Sequence, residues 1–358
     1  MKCIAPWKCL SVRFNGDIVP DCVYTGRHGN LHENTLSEIL QHPGLLKTQD
    51  SIMNDCLPTE CSQCVKKEGV QNHSRRIFFD QLMPHVPRTP EIDIRFLEFN
   101  LSNKCNLQCV MCSGVNSTAW VKLDNKLHEL GFNRPINHPD FGYRIVKEDI
   151  IDKLFSEPKY FKNLEYVNIK GGEPYMEQDN IKLLEKLIEL GLHKQVTLDI
   201  STNGTIENIE FERLALMFKT KWHISIEGVG KLYEYIRGGS KYSWEQFTDN
   251  LHRFEKFDRV IFAGTVMTYN VCHLKELMEW YLSVRKDNYE MFLTNVVTTP
   301  EYLNPTLLPQ SILDGTGYWH DSNLSNQLDT FIEYTKSMDR LRGTDVLEVC
   351  PELRSIFS

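Results

Sequence analysis

Cys105, Cys109 and Cys112 stand in a C-x3-C-x2-C triplet. Three thiolates at that spacing can wrap three corners of a 4Fe–4S cube and leave the fourth iron without a protein ligand. An open iron is where a substrate or cofactor coordinates, by the same logic as an open catalytic zinc. Zinc itself is the alternative for this triplet, with a fourth ligand brought from elsewhere. A second set lies nearer the amino terminus, in Cys3, Cys22 and the pair Cys61-x2-Cys64. Four thiolates drawn from a hairpin and a distant C-x2-C could close one iron–sulfur or zinc site, with Cys9 and Cys56 as reserves.

Stepping along the chain, an alternation of strand and helix begins at Ile94. Strand-like runs are expected at Phe96–Ser102, Tyr166–Lys170, Val196–Ser201, His223–Ile226, Val260–Met267 and Met291–Val297. Between them, Ile181–Leu190, Glu207–Phe218, Trp244–Phe257 and Leu274–Arg285 repeat apolar residues at three and four positions, as amphipathic helices do. Six such units imply an α/β fold, a partial (β/α)6 barrel with a parallel sheet and outer helices. The first connection, with Gly131 to Pro139 loop-like, reads as enlarged. The cysteine triplet follows the first strand and Gly171-Gly172-Glu173-Pro174 follows the second, both at the strand ends where barrel enzymes place their chemistry. Paired glycines let a ligand approach the backbone closely, although a lone GGEP is also a tight turn. Asn203-Gly204, Ser225 and Glu227 add polar groups to that mouth.

Residues 1–75 do not alternate. They carry a hairpin signal, Asn15-Gly16, between Leu10–Phe14 and Ile18–Pro20, and one helix around Thr35–His42. So small an apolar content needs a staple, which a metal centre would supply, making this a cysteine-rich α+β domain. A Pro-rich linker, 76–93, leads to the barrel at 94–300. An extension, 301–358, carries a helix at Leu324–Met338. Ser74-Arg75-Arg76 and Lys66-Lys67 read as solvated or interface charges, and Cys272 and Cys350 as ordinary thiols. The twelve histidines show no metal spacing and receive no role.

With 41% apolar and 25% charged residues, the composition is that of a folded globular chain. No apolar run reaches the ~18 residues of a membrane span, and the opening residues lack the apolar core of a signal peptide. A net charge of −8 argues against bulk nucleic-acid or membrane binding. Eleven cysteines without an export signal argue for a cytoplasmic metalloprotein over a disulfide framework.

The triplet after strand one, GGEP after strand two, STNG at 201–204 and ISIEG at 224–228 together make residues 94–300 resemble the radical S-adenosylmethionine (SAM) superfamily. The resemblance implies a catalytic 4Fe–4S cluster on Cys105, Cys109 and Cys112, with SAM chelating its open iron. It places Gly171, Gly172, Glu173 and Pro174 around SAM, Ser201, Asn203 and Ser225 at its ribose and carboxylate, Arg237 at the carboxylate and Met111 near the adenine. The implied chemistry is reductive cleavage of SAM to methionine and a 5′-deoxyadenosyl radical, supplied with electrons by a donor such as flavodoxin or ferredoxin. No side chain is singled out as an acid–base catalyst.

The amino-terminal segment resembles the twitch domain, the shortened SPASM auxiliary-cluster domain, through CIAPW at 3–7, Gly16-x5-Cys22 and a helix before Cys61-x2-Cys64. Here it precedes the barrel instead of following it, and the Gly16–Cys22 interval is one residue longer than usual. The resemblance implies a second, auxiliary 4Fe–4S cluster on Cys3, Cys22, Cys61 and Cys64, accepting an electron from an oxidised peptide or small polar substrate. The chain shows no separate ~80-residue peptide-recognition module, which argues against a leader-dependent peptide maturase. Two further readings stay open: a redox-neutral, epimerase-like radical enzyme, and a zinc-binding interaction protein.

Overall fold

The structure is a computed structural model that describes residues 2–71, 74–133, 150–238 and 242–357. Of the loop expected at Gly131 to Pro139, residues 134–139 lie outside the described residues. The chain divides into two compact units. The first comprises Met1–Asn103, Tyr143–Ile200 and Asn208–Thr220; the second, Lys104–Gly142, Ser201–Glu207 and Lys221–Ser358.

In the first unit, β1 (Cys9–Val12) and β2 (Ile18–Val19) form the hairpin expected around Asn15-Gly16. Gly16 has φ +84°, and a Cβ there would stand 2.6 Å from the His32 ring, so a side chain at this turn would be strained. β1 also pairs in parallel with β3 (Phe96–Asn100), from Cys9↔Phe96 to Val12↔Phe99. Next come β4 (Tyr166–Lys170) and β5 (Thr197–Thr202), each parallel to its predecessor. The helix Gln178–Glu189 buries Leu183, Leu184 and Leu187, the stripe read from its sequence period.

Helix Arg75–Leu82, capped by Ser74, occupies the first part of the stretch 76–93 expected to be a linker. Its Phe79 packs with Ile4, Ala5, Cys9 and Phe96, so this segment belongs to the core of the first unit.

In the second unit, β6 (Lys219–Ser225), β7 (Arg259–Val266) and β8 (Tyr289–Val296) pair in parallel, from Lys221↔Arg259 and Val260↔Tyr289 onward. The helix Leu328–Arg342 stops at Gly343, φ +69°, and buries Phe331, Tyr334 and Met338 in a core with Val110, Trp120 and Tyr269. Helix Val346–Val349 and the turn Pro351–Leu353 follow, so the extension is more ordered than its irregular sequence suggests. The fold class is the expected one, α/β with parallel strands alternating with helices behind a cysteine-rich amino-terminal segment. Among the described residues, no helix is long and apolar enough to cross a membrane.

Candidate cofactor and iron–sulfur sites

The loop carrying the triplet has no regular secondary structure, and side chains from the following turn and from helix Leu328–Arg342 hold its backbone. Ser117 Oγ donates to the Leu107 carbonyl (2.7 Å), Trp120 Nε1 to the Cys109 carbonyl (3.0 Å), and Tyr334 Oη to the Val110 carbonyl (2.9 Å). The Val110 amide donates to the Ile236 carbonyl (2.8 Å), tying the loop to helix Gly230–Arg237. Buried carbonyls that lack a ladder need such donors, or the loop would be costly to bury.

Two polar side chains aim at the sulfurs. Arg237 Nη1 lies 3.4 Å from Cys109 Sγ. Asn203 Nδ2 lies 3.8 Å from Cys105 Sγ and donates to Asn106 Oδ1 (2.9 Å). Arg237 is buried and forked onto Glu227, with Nε–Oε2 at 2.6 Å and Nη2–Oε1 at 2.9 Å. Burial pushes the Glu227 carboxyl up and the guanidinium pulls it back. Burial likewise raises the Cys109 thiol, and Arg237 opposes it.

The sequence suggested that Arg237 and Asn203 face SAM. The structure shows the Arg237 fork occupied by Glu227 and Cys109, and Asn203 Oδ1 accepting from the Thr205 amide (2.9 Å). Met111 and Cys112 pack against the apolar core of this unit. Ser201 and Ser225 are half-buried, at the ends of β5 and β6.

In the first unit, the Gly172 amide donates to the Ser102 carbonyl (2.9 Å), which ties GGEP to the residues that follow β3. Gly171 has φ +139°, and a Cβ there would lie 2.7 Å from both Asn100 Oδ1 and the Ser102 carbonyl. Glu173 is buried and its Oε1 accepts from the Tyr175 amide (3.3 Å), capping the turn Pro174–Met176. Asn180 Nδ2 donates to the Pro174 carbonyl (2.9 Å), fixing that turn to the next helix. Gly171→Ala is therefore expected to cost about 1–3 kcal/mol through strained backbone and to weaken SAM binding. Thermal melting with and without SAM checks both.

The amino-terminal thiols also gather in this unit. Cys3, Cys61 and Cys64 line one cavity with Asp21, Arg75 and Arg76. Backbone amides donate to these sulfurs, that of Ala5 to Cys3 and those of Arg76 and Arg75 to Cys64. Burial pushes the Cys3 and Cys22 thiols up to about 12 and Cys61 up to about 11, so each stays protonated until a cation repays its charge. Cys22 sits toward Glu98, Lys170 and Arg75 instead of lining the cavity. Of the reserves, Cys9 is packed in the core and Cys56 is exposed.

Arg75 is not a solvated charge. Its Nε lies 2.8 Å from Asp21 Oδ2 and its Nη2 3.1 Å from Glu98 Oε2, while Lys170 Nζ reaches the same Glu98 oxygen at 2.7 Å. Phe78 and Phe79 lie under its guanidinium, each ring centroid 4.8 Å away. Burial alone would push Glu98 up, but Lys170 and Arg75 outweigh it and hold the carboxyl below its usual range. Arg75→Lys keeps the charge but cannot fork to two carboxylates. The variant is expected to lose about 1–3 kcal/mol, the worth of charged hydrogen bonds, by denaturant melting.

The donor sets fit iron–sulfur clusters. Among the described residues, neither cysteine set holds three sulfurs within 4.8 Å of one another. Tetrahedral zinc would draw its thiolates to about 3.8 Å of each other, whereas a cubane spreads its ligands over separate irons. Donors on the sulfurs are what tune such clusters.

Comparison with known proteins agrees with these observations. The radical SAM superfamily profile matches residues 99–281, and an iron–sulfur cluster-binding (SPASM) domain matches residues 3–65. The 7-carboxy-7-deazaguanine synthase of Aquifex aeolicus (strain VF5) is 30% identical over 156 residues, 41% of this chain and 65% of that protein. The enzyme of the same name from Halobacterium salinarum (strain ATCC 29341 / DSM 671 / R1) is 26% identical over 118 residues, 33% of each chain. This chain thus spans under two thirds of either relative. Among solved structures, native anSMEcpe with bound AdoMet and Cp18Cys peptide aligns with TM-score 0.40 at 14% identity, covering 70% of this chain and 61% of that one. Streptococcus suis SuiB bound to precursor peptide SuiA aligns with TM-score 0.39 at 16% identity, covering 72% and 51%. The superfamily match covers just over half of the sequence, from the end of β3 to the helix after β7, and the chain belongs to the radical SAM superfamily.

Proposed function

We propose that this protein is an oxidative radical SAM enzyme. In this reading Cys105, Cys109 and Cys112 hold the catalytic 4Fe–4S cluster and Cys3, Cys22, Cys61 and Cys64 an auxiliary one. Residues 1–75 form the auxiliary domain, 76–93 the connection, 94–300 the catalytic unit and 301–358 the extension. When bound, the cluster with its open iron supplies reductive cleavage of SAM to methionine and a 5′-deoxyadenosyl radical, which takes a hydrogen atom from the substrate.

The chain's own part is binding and positioning. Gly171 and Gly172 expose backbone at the end of β4, and Glu173 and Pro174 fix the turn that carries it. Ser201 and Ser225 offer hydroxyls to SAM, and Met111 an apolar edge. Arg237 and Asn203 are assigned to the cysteine sulfurs instead of to SAM, because their donors already point there.

The observation that supports the oxidative reading is the gathering of Cys3, Cys61 and Cys64 around one cavity within the segment matched by the iron–sulfur cluster-binding domain. A second cluster held by these thiols would give the electron released on substrate oxidation a place to go. The substrate is a peptide or a small polar molecule, the electron donor a flavodoxin or ferredoxin, and the compartment the cytoplasm.

The alternative is a redox-neutral radical enzyme whose second cluster is only structural; the name of the two deazaguanine-synthase relatives points to a small heterocycle and so supports the small-molecule arm of the substrate. The test is a single turnover followed by EPR, using Cys61→Ala/Cys64→Ala beside the wild type. The oxidative reading expects the double variant to form 5′-deoxyadenosine but no oxidised product. Full product yield from that variant would favour the redox-neutral reading.

A further inference from the structure

The second unit holds a compact group of metal-binding atoms that includes none of the seven cysteines assigned above. One ligand atom each from His273, Cys350 and Glu352 lies within 4.8 Å of the other two, the one such trio found among the described residues. His273 closes the turn Val271–His273 after β7, Cys350 ends the helix Val346–Val349, and Glu352 sits in the turn Pro351–Leu353. We propose that these three side chains form a binding site for a divalent zinc-type cation, with water in the fourth position.

The donor set suits that ion. A thiolate, an imidazole and a carboxylate together select zinc over magnesium or calcium, which take oxygen alone. Their two negative charges match a dication. The spacing is close, with His273 Nε2 3.0 Å from Glu352 Oε1, the crowding that tetrahedral ligands need and that the seven assigned cysteines lack.

The surroundings add a second, independent observation. The other imidazole nitrogen, Nδ1, faces Glu276 Oε2 at 3.5 Å, the carboxylate behind a ligating histidine that fixes its ring. Cys350 is fully buried, whereas His273 and Glu352 keep 20% and 26% of their side-chain surface, which leaves an entry side for the ion. As found, the Cys350 thiol donates to the Tyr269 carbonyl at 3.1 Å. On binding, the S–H proton passes to solvent, a sulfur–metal bond forms, and no electron is transferred.

The site also adjoins the catalytic loop's support. The His273 amide donates to the Asn270 carbonyl (2.9 Å), and Asn270 Nδ2 donates to the Glu227 carbonyl (2.9 Å). Glu227 in turn holds Arg237 against Cys109. A metal at His273 would therefore pin the chain's last turns to the brace behind the triplet.

The experiment is metal analysis and zinc X-ray absorption on full-length protein equilibrated with micromolar free zinc and gel-filtered. Wild type, His273→Ala and Glu352→Gln are compared. The proposal expects about one zinc per chain with a single sulfur neighbour, at least tenfold less zinc in each variant, and unchanged iron. Wild type that retains no zinc overturns it, as does zinc ringed by sulfur alone that survives both substitutions. Should His273→Ala not fold, Glu352→Gln decides alone, because that partly exposed side chain can lose its charge without leaving a cavity.

Discussion

Cys105→Ala/Cys109→Ala/Cys112→Ala protein is expected to form no 5′-deoxyadenosine and to carry about four irons where wild type carries about eight, two cubanes by ligand count. The variant should still fold, because the loop is held through its backbone. The Leu107, Cys109 and Val110 carbonyls take their hydrogen bonds from Ser117, Trp120 and Tyr334, and alanine leaves all three in place. Activity and iron should therefore fall while the melting curve of the apo-protein stays near that of wild type. Anaerobic iron and sulfide analysis, EPR and product chromatography read the three quantities. Four irons in wild type and none in the variant would leave the amino-terminal cysteines without a cluster, and the electron-acceptor role would fall with it.

Arg237→Ala is expected to cost about 3–5 kcal/mol, the usual result of stranding one member of a buried ion pair. Glu227 would be left buried without its fork, and the Cys109 sulfur would lose its charged donor. The double variant Glu227→Leu/Arg237→Met separates these effects. Apolar replacement of both partners should recover most of the stability, since exchanging a whole buried pair is often neutral. The donor at Cys109 stays absent, so the catalytic cluster should still show a lowered midpoint potential in an EPR redox titration. An Arg237→Ala protein that melts within about 1 kcal/mol of wild type, the worth of an exposed pair, would show that the fork carries little.

Much of the strand pattern was legible because period and turn chemistry agree there. Tyr166–Lys170 falls where its sequence predicts, and Asn15-Gly16 turns the expected hairpin. The helix Pro43–Met53 escaped the same reading because polar residues complete its inner face. Thr48 Oγ1 meets Tyr24 Oη at 2.7 Å and Gln49 Nε2 donates to the Pro6 carbonyl at 2.9 Å, so its buried stripe is not apolar in sequence.

The cysteine sets were legible as chemistry, while their supports were not. Arg75 read as a solvated or interface charge, yet its partners Asp21 and Glu98 lie 54 and 23 residues away. Asn203 and Arg237 looked like cofactor contacts because the motifs containing them suggest it, and only the folded chain shows their donors already engaged. His273 meets Glu352 across 79 residues, a separation that no local spacing rule detects.

The pairing of β1 with β3 ties Cys9 to Phe96, so the cysteine-rich segment supplies two strands of the sheet and is not an appendage that a gene could shed. Cutting the chain before the catalytic unit would bare the β3 edge, with Leu97 and Phe99 on an open row of amides and carbonyls, a template for aggregation. Synthesis meets the same problem in time. At ~5–20 residues per second the ribosome needs roughly 4–17 s to carry the chain from β1 to β3. Over that interval, β1 is paired with β2 alone, and its other edge waits for a partner that does not yet exist.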